Sequence, residues 1–415
     1  MTIKNTSLKS RRTFFYHMFC LGSISLNGCR YRVKRQGVVP GIEVLLAKKQ
    51  NLIRGKKIGL ITNQTGVDRG LNNNVDLLKS TSGTQLVALF SPEHGIQGWE
   101  QAGVKVNNQS KNGRKIPVFS LYGKNMIPTP EMLSDVDLLV YDIQDVGSRY
   151  YTYLSTLKNC LKAANQNDIP FIVLDRPNPL GGLKSEGKIL KQKLYSFVGP
   201  SNIPARYGLT PGELALWMKA EINLKSSLTV VQMEQWKRGY WYDDTNLEWI
   251  PPSPNMPTSK TALMYSGTCL IEGTNLSEGR GTTTPFEIVG APWIDGRKLG
   301  KWMGKYKLPG VAFREITFIP TFSKYSKEKC HGVQLHVTNR EQFKPLQTVL
   351  YLIHHIHSEY SCDFKWINPH FDHLAGSDEI RKDIQNGQKV EKIVEKWQQE
   401  LEKFRRERKE FLLYP

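Results

Sequence analysis

Lys57-Ile58-Gly59-Leu60-Ile61-Thr62, followed at once by Asn63-Gln64-Thr65-Gly66, is the stretch that decides the fold. A short apolar run that stops in a polar turn reads as a strand covered on both faces. The figure recurs three times. Residues 86–90 run into Ser91-Pro92-Glu93-His94-Gly95, residues 136–141 into Asp142-Ile143-Gln144-Asp145-Val146-Gly147, and residues 170–174 into Asp175-Arg176-Pro177-Asn178-Pro179. Helical patterns fall between and after them. One is short, at 72–80. A second, at 150–165, sets Leu154, Leu157, Leu161 and Ala164 on one face. Thr210-Pro211-Gly212-Glu213 reads as a capping box with Pro at the first helical position, opening a helix to Ile222, and a strand is expected at 228–233. Strands alternating with helices imply a parallel sheet with right-handed crossovers. Near residue 285 the texture changes. Residues 312–319 and 332–338 alternate as half-exposed strands do, and 341–360 and 390–411 read as helices. The expected fold class is α/β: a Rossmann-like parallel-sheet N-terminal domain over 41–285, followed by a smaller α+β C-terminal domain over 286–415.

The 415 residues carry a formal net charge of +19, and residues 1–36 hold eight Lys/Arg with no Asp/Glu. The remainder is still basic, which suits an anionic surface or substrate, or simply solvated Lys-rich helices. Lys9, Arg11 and Arg12 precede a weakly apolar run at 14–26, and Leu26-Asn27-Gly28-Cys29 follows. That order is similar to a bacterial lipoprotein signal over 1–28, with Cys29 lipidated and 29–40 a linker; Ser10-Arg11-Arg12-Thr13-Phe14-Phe15 is also similar to a twin-arginine export pattern. The run is too short and too broken to span a bilayer. The expectation is an exported protein of the cell envelope, lipid-anchored or periplasmic; a basic tail with a chance cysteine is the alternative. Cys160, Cys269, Cys330 and Cys362 fit no zinc spacing and read as buried thiols rather than a disulfide framework.

Several chemistries lack their signatures. The first strand ends in Thr-Asn-Gln-Thr-Gly, without the G-x-G-x-x-G of a dinucleotide site. Gly279-Arg280-Gly281-Thr282 lacks the G-K-[ST] of a phosphate-binding loop, and no G-x-S-x-G elbow occurs. His354 and His357 share a helical face but have no evident third ligand. No cofactor, metal or nucleic-acid partner is expected. What the chain offers is carboxylates at strand ends, where open α/β sheets bind ligands. Glu93 sits beside His94 between Pro92 and Gly95. Asp142, Gln144, Asp145, Arg149, Tyr150 and Tyr151 crowd one motif, where aromatic rings can stack on sugars and Arg can hold a carboxylate. A carboxyl at the edge of an apolar sheet suits a general acid. Strand-end caps and Arg–Asp pairs are the plain alternatives at each position. A long polar loop runs from Glu272 to Thr282 through Asn275, Glu278 and Arg280.

Ser91–Gly95 (S-P-E-H-G), 141–153 (Y-D-I-Q-D-V-G-S-R-Y-Y-T-Y), 174–179 (L-D-R-P-N-P), 252–257 (P-S-P-N-M-P), 272–282 (E-G-T-N-L-S-E-G-R-G-T) and 371–377 (F-D-H-L-A-G-S) together resemble the NamZ-type exo-β-N-acetylmuramidases. The resemblance runs in order from about Gly41 to the C-terminus. It implies a Rossmann-like domain, a smaller C-terminal domain and a cleft between them. It also implies release of N-acetylmuramic acid from non-reducing ends of peptidoglycan fragments, with the family's catalytic glutamate falling on Glu93. Glycoside hydrolysis needs two carboxyl groups flanking the bond. His94, Asp142 and Asp145 are the candidate partners of Glu93. Asn63, Gln144, Arg149, Tyr150, Tyr151, Asn178, Asn255, Glu272, Asn275, Glu278 and Arg280 are candidate substrate contacts. Arg280, Arg149 and Arg206 are the arginines available for the lactyl carboxylate. Two other readings fit the same chain: a lipid-anchored envelope protein that binds muramic sugars without turning them over, and a non-enzymatic scaffold.

Overall fold

The computed structural model describes residues 37–101, 103–104 and 116–415; the signal-like segment with Cys29 lies outside them. Residues Gly37–Pro415 form one compact unit. Its first half is a six-stranded parallel sheet: β1 (Lys57–Thr62), β2 (Gln85–Ser91), β3 (Val118–Ser120), β4 (Leu138–Asp142), β5 (Phe171–Leu174) and β6 (Leu228–Val231). The order across the sheet is β3-β2-β1-β4-β5-β6, and every pair is parallel. This is the doubly wound Rossmann order, and it reverses between β1 and β4. Leu60, Ile61, Leu139 and Val140 are fully buried, as expected of central strands covered on both faces.

The strand expected at 136–141 starts at Leu138 and includes Asp142, which pairs in register with Thr62 of β1. β3 has only three residues, too few for any periodicity to show. The helix expected from residue 150 begins at Tyr153 and ends at Gln166. The delay has a local cause. The Arg149 N–H donates to the Ala205 carbonyl at 2.8 Å and Ser148 bridges to Arg206, so 148–152 stays a turn over the sheet's edge. The expected capping box is present. Thr210 Oγ1 accepts from the Glu213 N–H at 3.2 Å, and Glu213 Oε2 accepts from the Thr210 N–H at 3.0 Å.

The second half is built on a smaller antiparallel sheet of β7 (Ile288–Ala291), β8 (Val311–Phe318) and β9 (Cys330–Val337), in the order β7-β9-β8. Helix Gly296–Lys305 packs on β8 and β9, and helix Pro345–Glu359 packs on helix Ser259–Thr268. The single helix expected at 390–411 is three pieces: Val390–Glu395, Gln398–Glu407 and a 3-10 turn at Arg408–Phe411. The ladder loosens where the Lys396 and Trp397 N–H bonds lengthen to 3.4 Å, while Trp397 itself is buried. The chain's end returns to the parallel sheet. Tyr414 Oη donates to Asp175 Oδ2 at 2.5 Å and accepts from the Met233 N–H at 2.9 Å. Cys160, Cys269 and Cys330 are buried free thiols, and Cys362 is an exposed one.

Candidate active site

The turns after β1, β2 and β4 all leave the carboxyl edge of the sheet around the point where strand order reverses. Glu93 stands two residues beyond β2 and is 6% exposed. Its Oε2 accepts from Thr152 Oγ1 at 2.6 Å, and its Oε1 from the Gly103 N–H at 3.1 Å. The Tyr122 hydroxyl also bonds to it; burial first, then the Glu93 charge and that bond, push the phenol up to about 12. Among the described residues no Lys or Arg forms an ion pair with Glu93. His94 holds a left-handed backbone (φ 73°). Its Nδ1 lies 2.6 Å from the Glu100 carbonyl, which places the ring proton on Nδ1. Burial pulls this imidazole below its ordinary value, the Glu93 charge opposes, and the Arg280 charge adds to the fall, so the ring is neutral near pH 7.

The two aspartates after β4 have different environments. Asp142 is fully buried and gripped by Arg176 through Nε at 2.5 Å and Nη2 at 3.0 Å, with Asn74 donating at 2.9 Å. It closes an internal ion pair between two strand ends. Asp145 accepts from Tyr207 Oη and from the Gly147 N–H at 2.9 Å, and its Oδ1 has no partner among the described residues. Burial raises it to about 6 against those bonds. Tyr151, 6% exposed, is within reach of the charges of both this aspartate and Glu93. Its hydroxyl is pushed up chiefly by burial, with the charges of both carboxylates adding to the rise.

An aromatic wall continues from there. Tyr151 packs edge-on against Tyr153 at 4.7 Å and Tyr265 at 5.9 Å, and Tyr265 against Phe286 at 4.7 Å. Asn63 donates to Tyr153 Oη at 2.9 Å, and that hydroxyl donates to the Pro252 carbonyl, so the turn after β1 is tied to the P-S-P-N-M-P segment. Asn255 in that segment donates to Gln101 Oε1 at 3.1 Å. Beyond Phe286, whose ring lies 4.9 Å below its guanidinium, Arg280 meets Glu272 at 2.7 Å and Glu278 at 3.4 Å. Lys324 bonds Glu278 at 3.1 Å and the carbonyls of Ile271, Glu272 and Leu276. Burial would raise Glu272, but Arg280, His370 and Lys324 outweigh it and hold it at about 2.

Other expected contacts are committed to the scaffold. Arg149 is fully buried, far from pairing with Asp145. It donates to the carbonyls of Lys188, Ile203 and Leu374, and burial lowers it to about 10. Arg206, also buried, donates to the Leu180 carbonyl and covers the Trp241 ring. Tyr150 donates to the Ser266 carbonyl at 2.8 Å. Gln144 bonds the carbonyls of Asp145 and Pro177; Asn178 bonds Leu209 and Leu180. Asn275 bonds Asp363 and Lys365 on the second half of the chain. The residues that sequence reading passed over are Thr152, Tyr122, Tyr153 and Lys324. Thr152 and Tyr153 stood inside a quoted motif; Tyr122 follows the three-residue β3, and no signal marked Lys324. Among the described residues no group of three or more His, Cys, Asp or Glu could hold a metal ion.

The site is thus a Rossmann-type sheet without a dinucleotide loop, with a buried glutamate bonded by neutral donors beyond β2 and an aromatic wall beside it. The chain belongs to the NamZ exo-β-N-acetylmuramidase family: that family's N-terminal model matches residues 58–260 and its C-terminal model residues 263–414. It is 48% identical over 382 residues to the peptidoglycan β-N-acetylmuramidase NamZ of Bacillus subtilis (strain 168), covering 92% of each chain. Two solved structures of DUF1343 family proteins from Bacteroides fragilis are similar. One has a TM-score of 0.85 at 39% identity, covering 92% of this chain and 100% of that one; the other has 0.73 at 31%, covering 91% and 99%.

Proposed function

We propose that this protein releases N-acetylmuramic acid from the non-reducing end of peptidoglycan fragments, with Glu93 as general acid. The observation that carries the reading is a buried glutamate at the sheet's carboxyl edge whose oxygens are held by neutral donors from Thr152, Gly103 and Tyr122. The donors fix the direction of the carboxyl and none of them is a cation; in its protonated form it passes the proton to the glycosidic oxygen as the bond to the anomeric carbon breaks, and is left as the carboxylate. The relatives' activity and the identity over nearly the whole chain support the same reading.

As the second carboxylate we propose Asp145. Asp142 is neutralised by Arg176, whereas Asp145 keeps one oxygen without a partner and acts on the same Tyr151 as Glu93 does. For the lactyl carboxylate we propose Arg280, whose side chain is 17% exposed and whose charge reaches His94; Arg149 and Arg206 are enclosed in the core. A lipid anchor at Cys29 and an envelope location complete the proposal, and membrane fractionation of Cys29→Ser against the native protein tests them. If native protein retains residues 1–28 and fractionates with the cytoplasm, the anchor is excluded.

The decisive experiment is turnover of a chromogenic β-N-acetylmuramide beside its N-acetylglucosaminide counterpart. The wild type should cleave the muramide, and Glu93→Gln should lower turnover by about two orders of magnitude or more. Arg280→Ala should raise KM for the muramide and leave weak glucosaminide activity nearly unchanged. Tight binding of the muramide with no cleavage would make this a sugar-binding protein and overturn the proposal.

A further inference from the structure

We infer that Trp99 is a stacking platform for the sugar on the leaving side of the bond, so that the site is built for a glycan and not for a lone muramic residue. The inference rests on the glycosidase reading of Glu93. Trp99 is 62% exposed. A single exposed hydrophobic side chain is ordinary on a protein surface; what singles out Trp99 is its place six residues beyond Glu93, on the loop that leaves the same strand.

The loop that presents it is tightly braced. Gly95 N–H bonds the Pro92 carbonyl at 3.1 Å, Gly98 N–H the Gly95 carbonyl at 3.3 Å, and His94 Nδ1 the Glu100 carbonyl at 2.6 Å. On one side of Trp99, Gly98 has φ +70°, and a Cβ there would lie 1.9 Å from Gln64, itself bonded to the carbonyls of Pro251 and Pro252. On the other side, Gln101 is held by Asn255. The backbone on both sides of Trp99 is thus braced, and its ring is exposed to solvent. The Glu100 N–H also bonds the His94 carbonyl at 3.4 Å. That closure, with standard backbone lengths, keeps the Cα atoms of Trp99 and Glu93 within about 12 Å. The backbone that carries the ring therefore lies within the span of about two sugar rings from that of the acid. An enzyme acting at a non-reducing end has chain on one side of the reacting sugar only, which is the leaving side. An uncharged pyranose offers an apolar C–H face, and a neutral aromatic ring matches it.

The test compares Trp99→Ala and Trp99→Phe with the wild type on two substrates. One is a muramic–glucosamine disaccharide; the other is a β-N-acetylmuramyl azide, whose leaving group has no ring. Trp99→Ala should lower kcat/KM about tenfold on the disaccharide and not on the azide, with Trp99→Phe retaining most of the activity. Calorimetric Kd for the disaccharide, measured in the Glu93→Gln background, should weaken by a similar factor in Trp99→Ala whatever the turnover. Equal losses on both substrates with unchanged Kd would mean that the ring only braces the loop, and no change on either would mean that it touches no sugar; both overturn the inference. A wild type that cleaves neither substrate instead defeats the glycosidase reading, and the binding arm still decides Trp99.

Discussion

Glu93 and Asp142 stand at the carboxyl ends of β2 and β4, the two strands that flank β1. Both are buried acids in polar turns, yet their partners differ. Asp142 faces a guanidinium at 2.5 Å inside the protein, so its charge is cancelled and its geometry closed. Glu93 meets a threonine hydroxyl, a tyrosine hydroxyl and a backbone N–H, none of them charged. A strand-end carboxylate paired with a cation is part of the frame; one fixed by neutral donors is the one we propose for chemistry.

That contrast can be broken by experiment. The largest effect belongs to Glu93→Gln, which should abolish nearly all turnover, by about 10² or more, with no loss in melting temperature. Asp142→Ala should do the reverse. It leaves Arg176 buried without its counter-charge, so denaturant melts should show about 3–5 kcal/mol of lost stability. A correctly folded, fully stable Asp142→Ala protein would refute the structural role.

Asp145 separates the two behaviours by pH. Its folded value is raised to about 6 from an ordinary 3.8. The folded state therefore holds a proton that the unfolded chain releases. The stability this provides is complete below pH 4 and is lost as pH rises through 6. Relative to Asp145→Asn, the wild type should lose up to about 3 kcal/mol between pH 4 and pH 7, measured by urea midpoints. A difference that does not vary with pH would remove Asp145 from consideration as a titrating group. The smallest effect is expected at Thr152→Val, which deletes one bond to the Glu93 carboxylate. Turnover should fall about tenfold with a shifted pH profile, and Thr152→Ser should restore it. Loss of stability without a change in pH profile would mean that Thr152 only packs.

Much of the frame could be read from residues alone. The β1 boundaries, the capping box at Thr210 and the alternation of strand and helix emerge from local patterns, because a strand covered on both faces and a capped helix are each specified by a few consecutive side chains. Glu93, His94, Asp145, Tyr151 and Arg280 were legible as candidates, since polar turns after buried strands mark the ligand edge of an α/β sheet. The strand β3 was not legible, because three residues carry no usable period, and β7 went unread just after the polar loop, where the texture changes. Nor was Tyr122, which β3 delivers to Glu93 from about thirty positions away.

By itself, then, the sequence determined the parallel sheet, the order of its turns, the acids those turns carry and the family signature that runs across both halves. Only the tertiary structure decided which of those acids has a cation beside it. It committed Arg149 to three carbonyls instead of a carboxylate, gave Asp142 to Arg176, and left Glu93 with neutral donors. The physical reason is that a side chain's chemistry depends on its burial and its partners. In a crossover fold those partners come from strands and loops far apart along the chain.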